Sequence, residues 1–360
     1  MPKTINREFT LFTVGPVEMF DRTLEVRNRP IPYFRNQTFS NLMFGIDKKF
    51  KELLHTSSET EIIYLTASGT AAMEAVIENM FSKEDKLLII NGGSFGERFC
   101  QIATVRGVPY DEVKVDADKD LMKEDFLPFE DNHYDALLVN IDETSNAKLY
   151  DINLLEDFAL RHNALLVVDA ISSFLCDPYD MDGHHIDVTI FSSQKGLCIS
   201  PGLAFAALSK KAQARLKTSG VSYYNNFVDY INNMKRGQTP FTPAVGTLYE
   251  ADDMLDYIKE LTLEGWLKRI EDNALYFRKE LLKRGFKLPS YHQSNAVTMF
   301  FTPNNSAKEL KEYLANKKLF INPSSGKYAE SAVRVAHIGD LSFEDYDRLL
   351  KEIDNFYKDR

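Results

Sequence analysis

The sequence predicts an α/β fold in two unequal parts, a large domain on a mostly parallel sheet and a smaller C-terminal α+β domain. Three observations carry this. Short apolar runs alternate with helical patterns through the first two-thirds of the chain. Those runs are continuous rather than alternating, as strands covered on both faces require. From about Asp253 the rhythm changes to long helical stretches followed by brief strands.

Thr66-Ala67-Ser68-Gly69-Thr70 opens a helix, because Met73, Val76, Ile77 and Met80 repeat at i, i+3, i+4, i+7. Leu87–Ile90, Ala136–Val139, Leu165–Val168, Val188–Phe191 and Leu203–Ala206 read as buried strands. Between the second and third lies a helix with Asp151 as N-cap. Leu154, Leu155 and Phe158 form its inner stripe, and Asn163 stops it. This is βαβ spacing, hence a doubly wound domain over residues 1–252, with an N-terminal arm. Residues 253–360 give helices at Asp253–Glu264 and Trp266–Arg284, the second ending at Gly285. A strand (Ala296–Phe301), a helix (Ala307–Lys317), strands Leu319–Asn322 and Val333–Ile338, and an amphipathic helix Phe343–Tyr357 follow. No flexible linker separates the parts, so they are expected to pack closely.

Charge narrows the partners. The 360 residues carry 53 acidic and 43 basic side chains, a net −10 that repels nucleic acid and anionic lipid. The expected partner is a small molecule. No apolar run is long enough for a bilayer span, and the first residues lack a signal-peptide pattern. Cys100, Cys176 and Cys198 form no CxxC pair, which points to a reducing cytoplasm, buried thiols and no metal site.

Ligands of open parallel sheets sit beyond the carboxyl ends of the strands. Asp169 directly follows one predicted strand, and Lys195 lies just after the next in Ser192-Ser193-Gln194-Lys195-Gly196. An acid and a lysine can therefore meet over one rim. Ser68-Gly69-Thr70 adds hydroxyls and N–H groups at a helix start, a natural phosphate seat. Each signal alone also describes an ordinary cap, turn residue or surface lysine.

Together with Gly15-Pro16, Ala67–Glu74, Glu143-Thr144-Ser145, Val168–Ser173, Ser193–Gly196, Pro240-Phe241-Thr242-Pro243 and Val333-Arg334-Val335, these residues resemble the class V aminotransferases that use pyridoxal 5′-phosphate (PLP). The likeness covers nearly the whole chain. It lies in the branch of alanine–glyoxylate, serine–pyruvate and 2-aminoethylphosphonate–pyruvate transaminases. The resemblance implies the type I PLP-transferase fold and transamination between a small amino donor and pyruvate or glyoxylate. Lys195 would carry the cofactor as a Schiff base and move a proton at the substrate carbon. Asp169 would hold the pyridine nitrogen protonated. Ser68, Gly69, Thr70 and Gln194 would hold the phosphate, Phe95 and Ile171 would flank the ring, and Thr144 would bond its phenolic oxygen. Thr242 would reach the neighbouring subunit's phosphate in a homodimer. Arg334 would clamp the substrate carboxylate, unless it pairs with an acid at a domain edge. Arg35 matches an arginine near the substrate entrance, and equally suits a surface role. Phe95 stands where Trp or Tyr is usual, and Thr239 where some members place a tyrosine.

Rival readings fare less well. A desulfurase needs a cysteine in its C-terminal half, and none lies beyond Cys198. A phosphoserine aminotransferase needs a strongly basic pocket with no motif here. Nucleotide-binding glycine loops are absent. A catalytically inactive scaffold would have no reason to keep Lys195 and Asp169.

Overall fold

The computed structural model describes residues 5–358. Seven strands form the central sheet: β1 (Glu61–Leu65), β2 (Leu87–Asn91), β3 (Tyr110–Lys114), β4 (Ala136–Asn140), β5 (Leu165–Asp169), β6 (Val188–Ser192) and β7 (Ala204–Leu208). Their spatial order is β3-β2-β4-β5-β6-β7-β1. All contacts are parallel except those of β7, which runs antiparallel to both β6 and β1. Two reversals restore direction, so β1 points the same way as β2–β6. Leu65, Asn91, Asn140, Asp169 and Ser192 therefore end on one rim.

Alternation within the strands makes two cores. Ile62, Tyr64, Leu88, Ile90, Leu137, Val139, Leu166 and Val168 face one layer. Ile63, Leu65, Leu87, Ile89, Ala136, Leu138, Leu165 and Val167 face the other. Both faces being dry is why the runs are continuous in sequence. The second layer contains helices α3 (Gly69–Met80) and α4 (Ser94–Arg106). Ahead of these come α1 (Asp21–Arg27) and α2 (Gln37–Leu53). On the first layer, α5 (Ile152–Arg161) starts as expected, with the Asp151 side chain accepting from the Asn153 N–H. Asn163, at φ 51°, turns the chain out of it.

A short helix, α6 (Lys210–Gln213), and α7 (Phe227–Met234) follow the sheet. Helix α8 (Val245–Leu261) runs unbroken through residues 252 and 253. Helix α9 (Leu263–Lys283) is capped by Thr262, whose hydroxyl accepts from the Gly265 N–H at 3.1 Å. Strands β8 (Val297–Phe301), β9 (Asn322–Pro323) and β10 (Ala332–Ala336) form an antiparallel sheet in the order β8-β10-β9. Helices α10 (Ala307–Asn316) and α11 (Phe343–Lys358) complete a third core around Phe300, Val333, Val335 and Leu349.

The stretch read as one strand at Leu319–Asn322 divides. Leu319–Phe320 pairs with Thr10–Leu11 of the arm, while Asn322–Pro323 joins β10. Phe12 enters the same third core, so the N-terminal arm is fastened to the C-terminal layer. Among the described residues no helix is long and apolar enough to cross a membrane.

Candidate active site

The rim collects the polar residues that the strand ends project. Asn140 ends β4 and stands in register with Asp169, which ends β5. Asp169 is 1% exposed. Its carboxylate accepts from the Asn140 side-chain amide and from the Ile171 N–H, each at 2.9 Å. Two fixed donors lock the carboxylate's orientation. Burial pushes its pKa up to about 6, against those two hydrogen bonds and the nearby Lys195 charge, which lower it.

Lys195 lies in the turn after β6, on the neighbouring strand. The residue is half-buried. Burial pulls its amine down to about 8, with Arg334 acting the same way and Asp142 and Asp169 opposing. Gly196 makes the turn possible, since a Cβ there would strike the Phe174 carbonyl and stand 2.9 Å from Cys176 Sγ.

A chain of hydroxyls leads away from the amine. Lys195 Nζ donates to Ser172 Oγ at 3.3 Å, and Ser172 Oγ lies 2.7 Å from Thr144 Oγ1. Thr144 in turn donates to the Asp142 carbonyl at 3.2 Å. The protons thus run one way, from Lys195 to Ser172 to Thr144 to Asp142. The carbonyl of Thr144 accepts from Arg334 Nη1. Arg334 Nε and Nη2 donate to the Pro323 carbonyl at 3.0 and 2.8 Å. Among the described residues no carboxylate lies within ion-pair distance of Arg334. Carbonyls hold this guanidinium, then, rather than an acid at a domain edge.

Helix α3 starts beside this group. Its N-cap Ser68 makes no side-chain capping bond, so that hydroxyl is not consumed by its own helix. Gly69 packs closely against Ile171: a Cβ there would press on the end of that side chain and stand 3.5 Å from Ser192 Oγ. Ser192 Oγ is buried and has no hydrogen-bond partner among the described residues. Across from the seat, the Phe95 ring centroid lies 5.9 Å from Lys195 Nζ. Glu143 sets that ring in place by capping α4, accepting from the N–H groups of Phe95 at 3.1 Å and Gly96 at 2.9 Å. Gln194 is half-buried beside the lysine.

Two anticipated residues lie elsewhere. Arg35 donates to Gln238 Oε1 at 3.1 Å and to the Thr239 carbonyl at 2.7 Å, and its guanidinium lies over Phe34, tying the arm to the loop before Thr242. Thr242 is exposed and lines a cleft of about 800 Å³ together with Ile31, Phe34 and Pro201. Other residues contribute that sequence reasoning did not single out. Asn140 was findable as a polar strand end. Ser172 and Glu143 stood inside recognised motifs, but the partners that tie them to Lys195 and to the start of α4 lie 23 or more residues away. Asp142 is wholly buried, neither carboxylate oxygen has a hydrogen-bond partner among the described residues, and burial and Asp177 push its pKa far up.

A fold match sets this geometry among known enzymes. The subgroup IV aspartate aminotransferase from Thermus thermophilus superimposes with a TM-score of 0.90 at 26% identity, covering 97% of this chain and 99% of that one. The architecture is that of the PLP-dependent aminotransferases. The family model described as Aminotransferase class-V matches residues 32–336, and the chain belongs to that family. An uncharacterized aminotransferase of Methanocaldococcus jannaschii is 29% identical over 342 residues, 91% of this chain and 87% of that protein. A serine–glyoxylate aminotransferase of Methylorubrum extorquens is 27% identical over 350 residues, covering 92% and 87%. The chain is a PLP-dependent aminotransferase.

The residues present suit that cofactor. A buried carboxylate held by two donors fits a protonated ring nitrogen. The orphaned Ser192 hydroxyl and the unused Ser68 hydroxyl fit a phosphate. Lys195, on the turn after the strand next to that of Asp169, supplies the amine.

Proposed function

We propose that this enzyme moves an amino group from a small donor, alanine, serine or 2-aminoethylphosphonate, to pyruvate or glyoxylate. Relatives named for serine–glyoxylate and 2-aminoethylphosphonate–pyruvate transamination support that range. The observation that carries the reading is the unbroken contact chain from Lys195 through Ser172 and Thr144 to Arg334, with Asp169 on the adjoining strand end.

Bound PLP supplies an electron sink for the charge left when a proton departs the substrate α-carbon. Lys195 Nζ takes and returns that proton, for which an amine lowered to about 8 is better suited than one at 10.5. Asp169 keeps the ring nitrogen protonated, oriented by Asn140. Ser68, Gly69, Thr70 and Gln194 seat the phosphate. Phe95 and Ile171 flank the ring, and Thr144 meets its phenolic oxygen. Arg334 clamps the substrate carboxylate through its fork of donors. Arg35 braces the entrance loop.

In this proposal the enzyme works in the cytoplasm as a homodimer with shared sites, residues 1–252 carrying the cofactor and 253–360 closing over the substrate. The exposed Ile31 and Tyr33 near the Thr242 cleft support an isologous contact there.

A donor screen against pyruvate and glyoxylate, read as keto-product formation, tests the substrate range. Turnover with none of the three donors contradicts it. Arg334→Ala is expected to raise KM for the amino acid by about 10-fold or more, as loss of a bidentate charge-assisted contact does, while leaving PLP affinity nearly unchanged. Equal damage to PLP affinity assigns Arg334 to the cofactor or the fold instead.

A further inference from the structure

We infer that Arg98 is a cofactor-phosphate residue, supplying the positive charge that the Ser68-Gly69-Thr70 seat lacks. The inference rests on the reading that this seat takes the phosphate of PLP.

A phosphate monoester carries close to two negative charges at neutral pH. Hydroxyls and helix N–H groups offer only dipoles, and enclosing such an anion without a cation is costly. The seat itself, Ser68, Gly69 and Thr70, contains no charged residue. Arg98 reaches it from α4, one helical turn beyond Phe95. Its Nη1 donates to Thr70 Oγ1 at 3.0 Å, and its guanidinium carbon lies 4.7 Å from the Phe95 ring centroid. Hydrogen bond and ring contact together fix where the charge sits.

Its charge is also left over. Arg106, further along the same helix, is neutralised by Glu74 at 2.9 Å and Glu78 at 3.0 Å, both on α3. Arg98 faces the first turn of α3, where it meets the Thr70 hydroxyl. Among the described residues no carboxylate lies within ion-pair distance of Arg98. Neighbouring Glu97 is engaged instead by Asn91 and Gln101. The α3–α4 pair therefore cancels its charge at one end and keeps a free guanidinium at the other, beside the phosphate seat. A guanidinium suits phosphate because its donors diverge in a plane that matches two phosphate oxygens.

The test compares PLP with pyridoxal, which lacks the phosphate, on full-length enzyme freed of cofactor, by absorbance and fluorescence titration. Arg98→Gln is expected to raise the Kd for PLP by about 10- to 100-fold, as loss of a charged hydrogen bond does, and to leave that for pyridoxal within about 3-fold. Arg98→Lys, which keeps charge but not the fork, is expected to fall between. Inorganic phosphate is expected to compete with PLP on the wild type but much less on Arg98→Gln. Unchanged PLP affinity in Arg98→Gln overturns the inference, as does equal weakening of both ligands, which marks Arg98 as a support for Phe95. If Arg98→Gln does not fold, the Arg98→Lys comparison and the wild-type phosphate competition decide by the same criteria. Failure of the wild type to bind PLP through Lys195 is a separate result that strikes the proposed function itself.

Discussion

Desolvation lowers the pKa of the Lys195 amine, and the consequence is a pH dependence with a definite sign. A lysine whose folded pKa is lowered to about 8 binds its proton less tightly than in the unfolded chain, at about 10.5. In the cofactor-free protein this group therefore adds stability as pH rises from about 8 towards 10.5, and withholds it below. The reactive neutral amine also accumulates from about pH 8 rather than from 10.5. The rate at which the cofactor-free enzyme captures PLP should climb with a midpoint near pH 8, read by stopped-flow absorbance. A midpoint near 10 would show an amine in free contact with solvent. Asp169, raised to about 6, titrates below this window and adds no step near pH 8. At this scale the sequence was informative for Lys195 and Asp169, because strand ends in a parallel sheet converge whatever the loops do. It did not give the roles of Asn140, Glu143 and Arg98, although Asn140 was a visible polar strand end and Glu143 stood inside a recognised motif, because those roles depend on partners across other strands and helices.

Strands and helices were legible where burial was two-sided. The runs of β2, β4, β5 and β6 are continuous because helices cover both faces. Edge strand β3 escaped notice, since Asp111, Glu112 and Lys114 interrupt it and most of it is only partly buried. The run Ile62–Leu65 of β1 carried the same signal as its neighbours and could have been read. The reversed direction of β7 has no signature in its own residues, and goes with a connection, residues 193–203, that carries no crossover helix and includes the Lys195 turn. That turn gives the prediction belonging to this scale. Gly196→Ala sets a methyl against the Phe174 carbonyl, a backbone atom with no rotamer to escape into. It should cost about 3 kcal/mol in urea unfolding, at the upper end of overpacking, and lower PLP affinity together with stability. A loss below about 0.5 kcal/mol would show that the Lys195 turn is loose rather than fixed.

At the scale of the whole molecule, the two ends of the chain meet. Thr10–Leu11 pairs with Leu319–Phe320, and Arg7 bridges to Asp21, Glu18 and Asp340. The arm thereby holds the C-terminal layer, which carries Arg334, against the rim that carries Lys195. Long-range closure of this kind leaves no periodic mark in the sequence, and neither does the path of helix α8 through residues 252 and 253. Sharing of sites between two copies is tested by mixing subunits. Hybrids of Lys195→Ala and Thr242→Ala chains contain one site with both wild-type residues if Thr242 serves its partner. Such mixtures should recover wild-type PLP retention in about half of the hybrid sites, whereas recovery of none places Thr242 outside the neighbouring site.

The whole account turns on which amine holds the cofactor. The enzyme is loaded with PLP, reduced with borohydride and digested, and the labelled peptide is identified by mass. The label is expected on the peptide containing Ser193-Gln194-Lys195-Gly196, in close to one copy per chain. Label on another lysine, or none after loading, would contradict it.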